Sequence, residues 1–186
     1  LSRGLGDVYK RQVINMYKKL IPFICLALSA VCMTVIFIFS SQNSFDTNML
    51  SRKITSIIVE EVFKGYDSMD LDMKNIIVDQ FNLFIRKTAH FLMYFFLGFL
   101  CFSAFSALTN KYAKSFGLAW SCCFIYAVLD ELHQKFVPGR TPLFKDVIID
   151  SAGGLIGIIF GFLIISAALN IRNRISNNNS SQGLSS

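Results

Sequence analysis

The chain has 186 residues, of which 53% are hydrophobic and only 16% are charged, against roughly 25% charged residues in an average soluble protein. With 19 Phe and a mean hydropathy of +0.50, a soluble domain of this size would have too little polar surface to cover its apolar atoms. The composition therefore argues against a water-soluble enzyme. The net charge of +6, without a basic helix or interleaved aromatic residues, favours anionic lipid headgroups over nucleic acid as a partner.

Four apolar segments predict an all-α integral membrane bundle of four transmembrane helices. Residues 20–39 carry no charge and are long enough to cross a hydrocarbon layer of about 30 Å as a helix. No small-residue cleavage pattern follows them, so we interpret this segment as a retained anchor rather than a secretory signal. The other predicted spans are residues 89–108, 116–134 and 147–169.

The ends of the chain differ in composition from the membrane domain, which we place at residues 16–175. Residues 1–15 fit neither a signal peptide nor the first span, and we expect a non-native or disordered leader. Residues 176–186 form a Ser/Asn-rich run that we expect to be disordered. The five cysteines lie inside apolar runs without zinc-site spacing, which predicts buried free thiols.

The polar stretch between the first two spans contains two amphipathic helix patterns. Apolar residues recur at helical spacing from Ile54 to Phe63, and Gly65 supplies a stop. A second pattern from Leu71 to Ile85 continues into the second span. We expect these helices to lie on the membrane surface or to cap the bundle, with an ordinary connector as the alternative.

An even number of crossings places both termini on one side of the cell membrane. The basic residues that mark this side as cytoplasmic are Lys18, Lys19, Lys111, Lys114, Arg172 and Arg174. A short loop on the opposite side carries Lys135, Arg140 and Lys145, which conflicts with a simple charge count. Because acidic residues flank this loop, we assign its basic residues to a site and predict cytoplasmic termini.

Polar and ionisable side chains concentrate at one end of the predicted bundle. The candidate ligand-binding residues are Arg86, Lys87, His90, Tyr94, Tyr126, Asp130, Glu131, His133, Gln134, Arg140, Asp146 and Asp150. Residues four apart share a helix face, and a stripe of small residues from Gly153 to Gly161 turns Asp150 inward. An acid inside a membrane helix is costly unless it is paired or hydrated, so this end predicts a polar ligand pocket at the outer interface. The alternative is an ion-pair network that fixes helix register.

The sequence of the loop at residues 137–142 predicts a fixed position for the guanidinium group of Arg140. Pro138 and Gly139 are typical of a type II turn, and the following Thr-Pro pair is typical of a capped helix start. Arg140 between them suits bidentate recognition of phosphate or carboxylate. Pairing of Arg140 with Glu131 or Asp146 remains the alternative.

These motifs together resemble the VanZ-like family. The matching strings are Arg-Lys-Thr-Ala-His-Phe at 86–91, Asp-Glu-Leu-His-Gln-Lys-Phe-Val-Pro-Gly-Arg at 130–140, and Phe-Ser-Ser-Gln at 39–42. The chain departs from the resemblance at Met93, where relatives carry an acid, so its pocket has one carboxylate fewer. The resemblance implies a small bacterial membrane protein of the cell envelope, in a family whose founding member is associated with low-level teicoplanin resistance.

Two functions follow as hypotheses. In the first, the outer pocket binds an anionic envelope component, either a lipid-linked precursor or the lipid-like tail of a glycopeptide, and so contributes to teicoplanin resistance. In the second, the protein is an intramembrane enzyme acting on a lipid-linked or phosphate-containing substrate, with His90, Asp130, Glu131 and His133 as catalytic candidates. Asp130 and His133 stand one turn apart, and with His90 they are the set considered for a metal.

We predict no metal or other cofactor, because the chain has no complete ligand motif such as His-Glu-x-x-His. Membrane lipids are the expected partners, and the oligomeric state stays open. A small transporter or scaffold is a third possibility, but four helices lack the paired inverted halves that are common in secondary carriers, so transport would require an oligomer.

Overall fold

The protein is mostly helical in the part of the chain that the computed structural model describes, which comprises residues 2–41, 44–63, 65–138, 140 and 143–182. The helices are α1 Ser2–Ser41, α2 Ser44–Val62, α3 Leu71–Thr109, α4 Tyr112–Gln134 and α5 Phe144–Gln182, with a short 3₁₀ turn at Tyr66–Ser68. No strand occurs among these residues, so the all-α prediction is confirmed.

Four of the helices contain segments long and apolar enough to cross a membrane. These segments are Lys19–Ser41, Leu71–Thr109, Tyr112–Gln134 and Phe144–Ile175. The four predicted spans are therefore confirmed, each with wider bounds than the apolar run alone indicates. Most large apolar side chains on these helices are exposed on the bundle exterior, where hydrocarbon takes the place of water. The chain is a multi-pass membrane protein.

Both ends of the chain continue the neighbouring helices. α1 begins at Ser2 and so includes the segment that we expect to be a leader. α5 continues to Gln182, so residues 176–182 of the expected disordered tail are helical where they are described. Residues 162–182 contain neither Pro nor Gly, which would interrupt a helix. Extending an existing helix is easier than starting a new one, because each added residue forms one more hydrogen bond. The division into leader, membrane domain and tail stays a prediction.

An outer hairpin, formed by α2 and the first turns of α3, projects from one end of the bundle. α3 has 39 residues and is about 58 Å long, well beyond the hydrocarbon thickness. α2 packs beside it through an ion pair between Arg52 Nε and Asp79 Oδ1 at 3.1 Å and an edge-on contact between Phe63 and Phe81. The prediction that the second amphipathic helix runs into the second span is therefore correct.

The apolar face predicted on α2 does not pack inside the chain. Ile54, Ile57 and Val62 are exposed, while Thr55 and Val59 are buried. This face is therefore exposed to the surroundings of the protein. That these surroundings are lipid stays a prediction. Gly65 adopts a left-handed φ of 99° just beyond α2, which agrees with the expected helix stop.

α3 is the central helix and lies in contact with α1, α2, α4 and α5. Its closest neighbour is α5, because glycines remove side chains from the crossing. A Cβ atom added at Gly98 would overlap the Gly154 carbonyl, and one added at Gly157 would overlap the Phe95 carbonyl. The small-residue stripe therefore does what its spacing predicts and brings two backbones together.

A two-residue turn between α3 and α4 fixes which ends of the helices meet. α3 ends at Thr109, and Asn110 follows it with a left-handed φ of 54°. α4 begins at Tyr112 and runs antiparallel to α3, as so short a connection requires. The last turn of α4 therefore returns to the level of Arg86 and His90 on α3, beside the end of α1 and the start of α5.

Candidate functional site

A polar cleft of about 30 Å³ lies between α3, the end of α4 and the start of α5, at the end of the bundle that carries the outer hairpin. Seven of the predicted site residues line it together with Ile149: Arg86, Lys87, His90, Gln134, Arg140, Asp146 and Asp150. Side chains from separate spans thus meet in one place. The volume is enough for one or two water molecules or an ion.

Two of the acids in the cleft are partnered by α3. The Lys87 ammonium contacts the Asp146 carboxylate in a half-buried ion pair. His90 Nδ1 lies 3.8 Å from Asp150 Oδ2, with both side chains largely buried. Lys87, expected to contact an anion, is therefore engaged by an acid of α5, and this pair ties α3 to α5 as the register-fixing alternative predicts.

Asp130 is buried between α4 and the end of α1. Its Oδ2 accepts hydrogen bonds from Ser40 Oγ at 2.8 Å and from Gln134 Nε2 at 3.1 Å. Ser40 is completely buried, although sequence reasoning did not propose it as a site residue. The signal was available, because Ser40 lies in the Phe-Ser-Ser-Gln string that resembles the family motif.

Glu131 has a structural partner on the chain that leads into α5. Its Oε1 accepts a hydrogen bond of 2.7 Å from the backbone amide of Leu143, immediately before Phe144 opens the helix. A carboxylate at this place satisfies an otherwise unpaired amide and interacts favourably with the helix dipole. The geometry thus gives this catalytic candidate the role of a helix cap.

Arg140 joins three elements around the cleft. Its Nη2 donates to the Phe39 carbonyl at 2.8 Å, and its Nη1 lies 3.4 Å from Gln134 Oε1. Burial lowers the pKa of Arg140 from its ordinary value, and the positive charge of Arg86 lowers it further. Two guanidinium groups therefore lie close enough to repel each other. The predicted turn at Gly139 and the helix start at 141–142 fall outside the described residues.

The remaining predicted residues lie around the cleft rather than in its lining. His133 Nε2 is 3.1 Å from Ser41 Oγ, and its ring is 4.6 Å from that of Phe37. Tyr126 donates to the Met33 carbonyl of α1, and Tyr94 is fully buried beneath the cleft.

The set considered for a metal from sequence is not the set that the fold brings together. His133 lies instead against Ser41 and Phe37 of α1. Among the residues that the structure describes, the group whose ligand atoms converge is His90, Asp130 and Asp150.

An apolar groove of about 370 Å³ opens beside the cleft, between α1 and α3. Its lining residues are Ile36, Phe39, Arg86, Ala89, His90, Leu92, Met93, Phe96 and Arg140. Sequence reasoning missed this groove. The signal was the spacing of the α3 residues at 89, 92, 93 and 96, which follows the i, i+3, i+4, i+7 pattern of one helix face.

The groove and the cleft share Arg86, His90 and Arg140, so they form one continuous site with an apolar part and a charged part. Met93 lies in the apolar part. Its thioether keeps this section of the groove free of charge at the position where the family resemblance leads us to expect an acid.

Comparison with protein families gives one match, and it covers most of the chain. The model of the family described as VanZ/LLP1 matches residues 23–165, which include α1 from its membrane segment, the outer hairpin and all the residues of the polar site. Comparisons with curated proteins and with solved structures find no match. The extent of the family match and the four membrane-spanning helices lead to one conclusion, that the chain belongs to the VanZ/LLP1 family of membrane proteins.

Proposed function

We propose that the protein binds an anionic amphiphile of the cell envelope, with an acyl or prenyl chain in the apolar groove and a phosphate or carboxylate at Arg86 and Arg140. The observation that carries this proposal is the continuity of the groove with the charged cleft. The apolar groove alone would suit an uncharged hydrophobic ligand, and the charged cleft alone would suit a small anion. Hydrocarbon beside a cationic end is the chemistry of a lipid with an anionic headgroup.

The charges at the mouth of the groove support an anion. Arg86 and Arg140 are near enough to repel each other, and this repulsion is relieved when an anion lies between them. Arg86 has no hydrogen bond or ion pair with another side chain in the described part of the chain. Its guanidinium therefore has its donors available for a ligand.

The size and surroundings of the groove support a hydrocarbon chain. Its volume equals that of roughly a dozen molecules of liquid water, but apart from Arg86, His90 and Arg140 at one end its lining is apolar. Phe39, Leu92 and Phe96 at its edges are about half exposed, so the groove opens to the exterior of the bundle. A lipid can enter from the membrane without crossing the protein core.

Mass spectrometry of co-purified lipids tests the proposal with the full-length chain in mild detergent. We expect the unaltered protein to retain an anionic lipid phosphate that Arg86→Gln reduces by at least ten-fold. Ala89→Trp should have the same effect by filling the groove without changing a charge. Lys135→Gln is the matched control, since Lys135 is an exposed basic residue at the same end of the bundle and does not line either space.

The same variants separate the two sources of the ligand. If the unaltered chain raises the teicoplanin concentration needed to stop growth, Arg86→Gln and Ala89→Trp should abolish that effect at equal membrane abundance. Direct binding of teicoplanin by the purified protein would identify the antibiotic as the ligand, whereas co-purified lipid-linked precursor would identify the envelope lipid. Identical lipid profiles in all variants would refute the proposal.

A second candidate function is chemistry on the bound headgroup. The observation that favours it is the contact between His90 and Asp150, an imidazole and a carboxylate that both line the cleft. Such a pair can exchange a proton with a substrate. Release of phosphate or of a modified headgroup from lipid vesicles that contain the protein, lost in His90→Ala, would establish this activity.

A further inference from the structure

Three potential metal ligands converge in the bundle just below the cleft. His90 of α3, Asp130 of α4 and Asp150 of α5 each offer one ligand atom, and these atoms all lie within 4.8 Å of one another. His90 Nδ1 lies 3.8 Å from Asp150 Oδ2. Because each residue comes from a different helix, the convergence is a product of the fold and not of sequence spacing.

A buried oxygen in this group has no hydrogen-bond partner. Asp130 is only 4% exposed, and its Oδ2 is held by Ser40 and Gln134. Its Oδ1 is buried and accepts no hydrogen bond from the described part of the chain. Burying a carboxylate oxygen without a hydrogen-bond partner costs free energy. Metal-binding carboxylates are commonly oriented by hydrogen bonds to their other oxygen, as Asp130 is through Oδ2.

The Tyr94 hydroxyl is a second buried polar group without a hydrogen bond among the described residues, one turn below His90. It lies within electrostatic range of both Asp130 and Asp150. Two buried side chains on different helices therefore have oxygen atoms without a hydrogen-bond partner in this part of the bundle.

The local charges also favour a cation. Asp130 and Asp150 are buried close together, and two nearby carboxylates repel each other unless a cation lies between them. Asp130 also lies near the C-terminal end of α4, where the helix dipole is negative. Lys87 is paired with Asp146, and Arg140, which acts electrostatically on Asp130, donates hydrogen bonds to Phe39 and Gln134.

We propose that His90, Asp130 and Asp150 bind a divalent transition-metal ion, with Zn²⁺ and Mn²⁺ as the chemical class that one imidazole and two carboxylates suit. Ligands about 2.0 to 2.2 Å from a tetrahedral ion lie roughly 3.4 Å from one another, so ligand atoms that are now within 4.8 Å would have to approach one another by at most about 1.4 Å. Three protein ligands leave at least one coordination position open. Since His90 and Asp150 also line the cleft, the open position faces it.

The metal site goes beyond the lipid-binding proposal and stands without it. An ion at this point would place a positive charge at the base of the cleft whose rim carries Arg86 and Arg140. A phosphate oxygen entering the cleft would then complete the coordination of the ion. The sequence alone led us to expect no metal, because residues on three helices form no recognisable spacing.

Metal counting on the full-length protein tests the inference. The protein is stripped with a chelator in detergent, incubated with Zn²⁺ or Mn²⁺, freed of excess ion and measured by elemental mass spectrometry. We expect about one ion per chain in the unaltered protein and at least a ten-fold weaker affinity in His90→Ala, Asp130→Asn and Asp150→Asn. Loading should also raise the melting temperature of the unaltered protein and leave that of these variants unchanged.

Two further variants keep the test sharp. His133→Ala removes the other histidine of the chain, which contacts Ser41 instead, and should retain the full metal content. Ser40→Ala leaves all three ligands in place but removes one of the two hydrogen bonds to Asp130 Oδ2, and losing such a supporting contact lowers metal affinity by roughly 10- to 100-fold. Helix content measured by circular dichroism shows which variants are folded.

The outcomes separate this inference from the lipid proposal. Arg86→Gln should lose the lipid and keep the metal, since Arg86 is not a ligand. No bound ion in the unaltered protein, or equal binding in all variants, would overturn the metal site while leaving the lipid result intact. Metal content that follows His133 rather than His90 would also overturn it.

Discussion

Ser40 and Ser41 are neighbours in sequence and have opposite surroundings. Ser40 is buried and donates its hydroxyl to Asp130, whereas Ser41 is exposed and donates to the Phe37 carbonyl of its own helix. Removing a hydrogen-bond donor from a buried carboxylate costs more free energy than removing a hydroxyl at the surface, because water can replace the hydrogen bond that is lost at the surface. The pair therefore offers a matched comparison.

We expect Ser40→Ala to lower the free energy of unfolding by about 1 to 3 kcal/mol, because Asp130 is left less satisfied in the buried end of the bundle. Ser41→Ala should change it by less than about 0.5 kcal/mol. Unfolding of the purified protein in mixed detergent and denaturing surfactant measures both values. Equal effects of the two substitutions would contradict the assignment of Asp130 to Ser40.

The sequence was enough to predict at which end of the bundle the site residues lie, but not which groups they contact. One-sided clustering and four-residue spacing placed His90, Gln134 and Asp150 at the same end of the bundle, where the structure brings them together. Their partners depend on how neighbouring helices rotate about their axes, and no sequence pattern fixes that rotation. Glu131 illustrates the limit, since its partner is a backbone amide that carries no sequence signal.

The crossing of α3 and α5 depends on backbone contact at glycine. Gly157→Ala should lower the free energy of unfolding by about 1 to 3 kcal/mol, because the added methyl group overlaps the Phe95 carbonyl and forces the helices apart. Gly98→Ala should act in the same way against Gly154. The same unfolding measurement gives the values.

Gly117→Ala is the control for this pair of substitutions. Gly117 lies in α4, and an added Cβ would meet no atom within 4 Å beyond the adjacent backbone of its own helix, so the change removes backbone freedom without a clash. We expect stability to be unchanged or slightly raised. Loss of stability at Gly117 as large as at Gly157 would show that helix packing is not the cause.

The helices themselves were largely predictable, because long apolar runs and amphipathic periodicity are strong signals. The glycine stripe also predicted a close crossing of α5, although not that α3 would be the partner. The apolar groove was not found because its residues read as ordinary lipid-facing side chains. Only the separation of α1 from α3 turns Ala89, Met93 and Phe96 into the wall of a space.

The orientation of the protein in the membrane is a prediction that the fold makes testable. Lys114 lies near the start of α4 and Lys135 just after its end, so a single helix separates them across the membrane. With cytoplasmic termini, Lys135→Cys should react with a membrane-impermeant maleimide in intact cells. Lys114→Cys should react only after the membrane is made permeable.

The unaltered chain supplies the control, because its five cysteines all lie within the membrane-spanning helices. Its background labelling is subtracted from that of each variant. The reverse pattern of reactivity would place the polar site on the cytoplasmic side. The ligand would then have to come from the inner leaflet.

α3 runs without a break from the outer hairpin, past Arg86 and His90, to the far side of the bundle. A continuous helix transmits tilt and rotation along its length as a stiff rod does. A change in the tilt of α3 about its glycine crossing with α5 would therefore move the hairpin and His90 together.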